Sequence, residues 1–187
     1  MIRNTATRWG ALSQFLHWGI GALILFLLLH GWWMTEFSAR EARFEHYTWH
    51  ASVGYVLLPL MILRLAWRWL NEVPELARAS AAWERISARF AHWGLYVLIF
   101  VATVSGWALA GTSRRPLDTV FGWVRVPAIV SAPDRRLHEQ LEHLHSFLAW
   151  TLVVLLIVHV AGALYHLIIK KDDVVQRMLH FGAGQNS

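Results

Sequence analysis

The sequence predicts an all-α protein, a polytopic membrane four-helix bundle. Three observations carry that expectation. The chain has 187 residues, 56% hydrophobic and only 16% charged. It holds 12 Trp at a mean hydropathy of +0.38. Its apolar residues gather into four stretches, each near the length of about 20 residues that a helix needs to cross a bilayer core. By length this is a single domain, residues 1–187, with spans at roughly 11–34, 49–70, 91–110 and 144–169. The formal charge of +5 could suit nucleic acid. The basic residues, however, flank apolar spans and form no stripe interleaved with aromatics, so nucleic acid is excluded as a partner. With no Cys, the chain can form no disulfide, thiolate-held zinc site, iron–sulfur cluster or covalent haem attachment.

The first stretch begins within the N-terminal MIRNTATRWGALSQFLHW and stays apolar to about Trp33, too long for the apolar region of a cleaved signal, so it is expected to be the first span. It carries His17 and His30. The second opens at Trp49 and His50, contains Pro59, which a bundle tolerates, and ends in Arg64 and Arg68, which can snorkel. A polar, Ala-rich connector, Asn71–Phe90, leads to the third span, which opens on His92. The next connector, Gly111–His143, is interrupted by Pro116, Pro127 and Pro133. Its end, DRRLHEQLEHLHSF, has helical composition, so the fourth helix is expected to start outside the membrane. That helix carries His145, His159 and His166 and stops at Lys170 and Lys171.

Lys and Arg number ten on the side of the termini and seven on the other, which predicts both termini in the cytoplasm. Trp9, Trp18, Trp32, Trp33, Trp49, Trp67 and Trp69 lie near span ends, where interfacial anchors belong. Antiparallel helices then fix depth. His145 and His159 are fourteen residues apart, which returns to within roughly 40° of the same helix face about 21 Å further along. His50 matches His145 towards the outside, and His17 matches His159 towards the cytoplasm. Each pair can supply both axial ligands of one b-type haem, so the bundle is expected to hold two haem b through His17, His50, His145 and His159.

Other residues are placed around these pairs. His92 stands as an alternative inner ligand or a contact to the inner haem edge or a propionate. His166, seven after His159, suits a quinone or propionate contact. His46 is an alternative to His50. His30, about 220° round the helix from His17, is expected to face elsewhere, and His138 and His143 to be solvated. Gly54, one turn after His50, and Gly162, three after His159, can let a flat macrocycle approach the backbone or can serve plain helix packing. Arg64, Arg68, Lys170 and Lys171 are cations for propionates, or interfacial anchors.

Four segments resemble the bacterial cytochrome b561 family, which groups with the cytochrome b subunits of nickel–iron hydrogenases. They are QFLHW at Gln14–Trp18, HASVGYVLLPLMILRLAWR at His50–Arg68, AHWGLYVLIF at Ala91–Phe100, and LHSFLAWTLVVLLIVHVAGALYH followed by Lys170, Lys171 and Asp172. The resemblance implies a four-helix, dihaem cytochrome of the bacterial inner membrane, passing electrons between the quinone pool and a partner. By position it implies His17, His50, His145 and His159 as ligands. The short chain favours the stand-alone branch, some of whose members are superoxide oxidases that reduce ubiquinone. The outer side carries Arg114, Arg115, Arg125, Arg135 and Arg136, but the outer acidic residues equal the outer arginines in number, so attraction of an anion is undecided.

Bis-histidine ligation fills both axial positions, so the chemistry expected is electron transfer alone, with no catalytic side chain. Membrane lipid and quinone are the expected partners, with a redox protein and a second copy of the chain as further options. A rival function is a haem-carrying anchor and electron wire for a partner oxidoreductase. A remoter one is a histidine-lined metal or proton transporter, which would normally recruit carboxylates inside the spans; none is present there.

Overall fold

Hydropathy and length produce four long helices, and the computed structural model describes residues 1–74, 82–115, 117–130 and 134–179. Helices α1 (Ala11–Glu36), α2 (Arg43–Leu70), α3 (Ala82–Gly111) and α4 (Arg135–Leu164) each have the length and apolar composition to cross a membrane. The last continues as a π-helical turn, Tyr165–Lys170, and a short α5 (Gln176–Leu179) follows. The helices run from 26 to 30 residues. At about 1.5 Å per residue they outreach a hydrocarbon core of about 30 Å, so their ends stand in the interfacial layers. Arg78, Pro116, Pro133 and His180 lie outside the described residues.

Asn4 Nδ2 donates to the Glu72 carbonyl at 2.7 Å, and Gln14 Nε2 to the Arg177 carbonyl at 2.9 Å. Trp18 Nε1 donates to the Met178 carbonyl at 2.8 Å. The N-terminal segment and the segment that follows α4 therefore share one end of the bundle with the end of α2, here the termini end; the opposite one is the loop end. Consecutive helices pack on one another: α1 on α2, α2 on α3, α3 on α4. Between them Leu16, Ile20 and Ile24 of α1 meet Leu57 and Met61 of α2, Ile99 of α3 and Leu152 of α4. The outward faces keep large apolar residues exposed, among them Phe15, Leu29, Trp150 and Ile157, as a lipid-facing surface requires.

Local chemistry sets the helix ends. Asp134 caps α4 by accepting from the Leu137 amide at 3.1 Å. Lys171 closes the π-helical turn in a left-handed conformation (φ 52°). Pro59 sits within an unbroken α2.

The Pro-punctuated connector is more ordered than its composition suggests. It contains an antiparallel hairpin of β1 (Thr119–Val120) and β2 (Val124–Arg125). Phe121 and Gly122 turn it, both with positive φ (51° and 79°). A Cβ on Gly111 would come within 2.2 Å of the Val130 carbonyl oxygen, so glycine there lets the returning chain lie on the end of α3. His138, expected to be solvated, is half-buried instead, its Nδ1 lying 2.8 Å from Thr112 Oγ1. The helix α4 begins so far outside the apolar stretch that its first turns pack against this connector.

Candidate functional site

Histidines gather at both ends of the bundle. At the termini end, His17 of α1, His92 of α3 and His159 of α4 converge. The rings of His17 and His159 lie 6.2 Å apart between centroids, those of His92 and His159 5.3 Å. His92 Nδ1 lies 2.7 Å from the Ala88 carbonyl, so it carries the proton and donates there, leaving Nε2 as the free nitrogen. Arg64 of α2 reaches across from the opposite side. Its Nη2 donates to His17 Nδ1 at 2.8 Å, its Nε to the Tyr96 hydroxyl at 3.0 Å, and its Nη1 to the Leu16 carbonyl at 3.3 Å. The guanidinium also lies over the Tyr96 ring, 5.7 Å from its centroid.

At the loop end, His50 of α2 faces His145 of α4 with 6.2 Å between ring centroids and the rings at 89°. His145 Nδ1 lies 3.0 Å from the Ala102 carbonyl and 3.0 Å from Ser105 Oγ. The Ser105 hydroxyl already donates to that carbonyl at 2.7 Å, so the imidazole proton sits on Nδ1 and Nε2 keeps its lone pair. His50 Nδ1 is buried with no hydrogen-bond partner among the described residues.

His30, expected to face elsewhere, stacks beside His50 instead, 6.0 Å between centroids. The angle from His17 describes α1 alone, whereas what His30 meets depends on how α2 packs against that helix. His46 contacts His30 and Trp33, not His145, so of the two outer candidates on α2 it is His50 that meets α4.

Glycines shape both clusters differently. A Cβ on Gly106 would stand 2.9 Å from His145 Cε1, and one on Gly31 3.2 Å from His50 Cε1. Both contacts press an imidazole against a neighbouring backbone, and neither glycine stands out in the sequence, because its partner lies on another helix. Gly54, Gly21 and Gly162 have nothing within 4 Å of where a Cβ would be. Gly21 follows His17 by four residues, as Gly54 follows His50, so on each helix the space one turn from the histidine is open.

A cavity of ≈ 1660 Å³ occupies the termini end, lined in part by His17, Arg64, His92, Tyr96, His159 and His166. His166 stands on the π-helical turn with Nδ1 2.6 Å from Asp172 Oδ2, both side chains largely shielded. Next to it Lys170 Nζ holds the buried Glu84 through both carboxylate oxygens, at 2.8 and 2.7 Å. Lys170 is thus tied to α3, a role beyond the interfacial anchor its position suggests.

Four apolar helices that bring imidazoles from different helices together at both ends suit a membrane cytochrome of the b type. Residues 8–181 match the model of prokaryotic cytochrome b561, and the chain belongs to that family. It is 32% identical over 177 residues to cytochrome b561 homolog 2 of Escherichia coli (strain K12), covering 94% of this chain and 93% of that protein. It is 26% identical over 170 residues to cytochrome b562 of Cereibacter sphaeroides, covering 88% and 90% respectively. The chain is accordingly a bacterial membrane protein of the b-type cytochromes, which use haem b to transfer electrons.

Proposed function

We propose that the chain binds two b haems, one at each end, and conducts electrons between them. His17 with His159 would hold the haem at the termini end, and His50 with His145 the one at the loop end. The two facing pairs at 6.2 Å carry this reading. A metal–imidazole bond of about 2.0–2.1 Å, plus about another ångström to each ring centre, separates the centroids of facing ligand rings by about 6 Å. His92 and His159, at 5.3 Å, are closer than that. The donor chemistry also fits, since His145 presents Nε2 while its Nδ1–H donates to a carbonyl, the usual orienting arrangement of a ligand histidine. The open space beside Gly21 and Gly54 suits a flat macrocycle.

Haem bound through two imidazoles supplies reversible one-electron transfer without an open iron position. The protein's task is then to hold, orient and insulate. At the termini end Arg64 donates to His17 Nδ1. Were His17 to hold a haem through Nε2, its proton would sit on Nδ1 and Arg64 would turn to another acceptor, such as a propionate.

The cavity at this end exceeds the range of about 300–1,000 Å³ usual for a single small ligand, which supports room for a quinone beside the macrocycle. Oxidation of a quinol there releases two electrons and two protons. His166, paired with Asp172, is the group suited to take a proton from the quinol oxygen or, in the reverse direction, to return one. The excess of Lys and Arg at the termini end favours placing it in the cytoplasm. At the loop end, superoxide or a soluble redox protein would be the other electron carrier.

Haem quantified per chain tests the assignment. The wild-type protein should carry two, and His159→Ala and His145→Ala one each, with different surviving spectra and potentials. Two haems in His159→Ala, or a colourless wild-type protein, would overturn it.

A further inference from the structure

The loop-end connector does not stand clear of the bundle. Its backbone is tied to side chains that lie well inside the helices. Tyr55 hydroxyl donates to the Leu117 carbonyl at 2.6 Å, and Trp107 Nε1 to the Pro127 carbonyl at 2.9 Å. Ser52 Oγ accepts from the Phe121 amide at 2.9 Å and lies 3.4 Å from the Thr119 carbonyl oxygen. Ser52 is wholly buried. Counted from Trp49, where the apolar run of α2 begins, Ser52 and Tyr55 lie about 4.5 and 9 Å further along the helix.

The connector therefore descends beside α2 to the depth of the span's outer turns. Non-helical backbone is tolerated there only when protein groups satisfy it, and Ser52, Tyr55 and Trp107 do so from α2 and α3. The turn they hold presents an apolar edge. Trp123 is 91% exposed, with Phe121, Val124 and Ile129 exposed beside it. Phe121 meets Trp49 edge-on at 5.1 Å, so this edge continues the aromatic surface at the end of α2. Arg125 closes β2, opposite Thr119.

We propose that the hairpin Thr119–Arg125 is a membrane-inserted element, with Trp123 and Phe121 seated in the lipid headgroup layer at the loop end. The occupant of its apolar edge is lipid. Continuity with the spanning surface, the depth of its tethers and the interfacial preference of Trp all point the same way.

The absence of native Cys permits a direct test. Trp123→Cys and, separately, Val124→Cys would be labelled with bimane in the haem-loaded protein and reconstituted into phosphatidylethanolamine–phosphatidylglycerol vesicles. Arg136→Cys, on the exposed start of α4, provides the aqueous control. Iodide should quench the hairpin probes at least ~3-fold less than the control, while lipids spin-labelled near the headgroup quench them more than lipids labelled deep in the chain. Iodide quenching equal to the control at both hairpin positions would overturn the proposal, and would leave the edge to a soluble protein partner. Retention of the wild-type absorption spectrum by each labelled variant confirms that the bundle is intact.

Discussion

The two histidine clusters are built from the same residue type and both draw on α1 and α4, but the third helix is α3 at the termini end and α2 at the loop end, and their surroundings differ. At the loop end the imidazoles are pressed by backbone: Gly106 against His145, Gly31 against His50, with Ala102 and Ser105 fixing one ring nitrogen. At the termini end the same ring type borders a large cavity, and the partner of the His17 ring is a long cationic side chain, Arg64. Close packing around a ligand favours one geometry and slow exchange. Open space with polar groups favours the entry and exit of a second molecule. On the proposed function, that contrast gives the loop end the part of a closed relay and the termini end that of a site of exchange.

The most severe way to break that contrast is to fill the clearances. Gly106→Leu drives a branched side chain into the position of the His145 ring and should remove the loop-end haem entirely, taking haem content from two per chain to one. Gly19→Ala, on an exposed face of α1 with nothing within 4 Å, should keep both. Haem quantification with a redox titration checks this; a two-component titration in Gly106→Leu would show that the loop end is not sealed as described.

The next effect should appear only at the termini end. His166→Gln keeps a hydrogen-bonding side chain beside Asp172 but cannot exchange a proton with a quinol. Losing a general acid–base group typically costs 10²–10⁴-fold, so reduction of the haems by a quinol should slow by about 100-fold. Reduction by dithionite should be unchanged. Stopped-flow traces with both reductants separate proton handling from electron transfer, and equal slowing with the two would assign His166 a structural role instead.

Arg64→Met tests the electrostatic half of the contrast. A cation favours the less positive, reduced form of a haem nearby. At roughly 8 Å and an effective dielectric near 20, one charge is worth about 2 kcal/mol, or on the order of 90 mV for one electron. The termini-end potential should therefore fall by tens of millivolts, with a shift roughly 2–3-fold smaller at the other end, about 21 Å away. Equal shifts in a potentiometric titration would place Arg64 between the haems instead of beside one.

The helices were legible because lipid imposes a long apolar run that no soluble fold needs, and the face-to-face pairs because fourteen residues return to one helix face. Both are properties of a single chain segment. What escaped depends on two segments at once. Gly31 and Gly106 matter only through rings on other helices, and His30 meets His50 only because α1 and α2 pack as they do. The hairpin escaped for a similar reason. Its Pro-rich composition reads as a plain connector, while its order comes from Ser52, Tyr55 and Trp107, residues that look like ordinary span positions. Lys170 likewise reads as an end-of-span cation until Glu84 is found beneath it.

The smallest expected effect probes how firmly the loop end is sealed. Removing a partner that orients a ligand histidine typically weakens metal binding 10–100-fold. In Ser105→Ala the Ala102 carbonyl remains 3.0 Å from His145 Nδ1, so the proton stays on that nitrogen and the ring keeps its orientation. The loss should fall at the low end, about 10-fold or less, and the termini-end haem should be unaffected. Transfer of haem to an excess of an apo-haem acceptor protein measures it, as a faster release confined to one of the two components. Complete loss of that component would mean that the hydroxyl, not the carbonyl, sets the tautomer of His145. Release no faster than wild type would mean that the backbone of α3 alone holds the ring, and that the tight approach at Gly106 accounts for the seal.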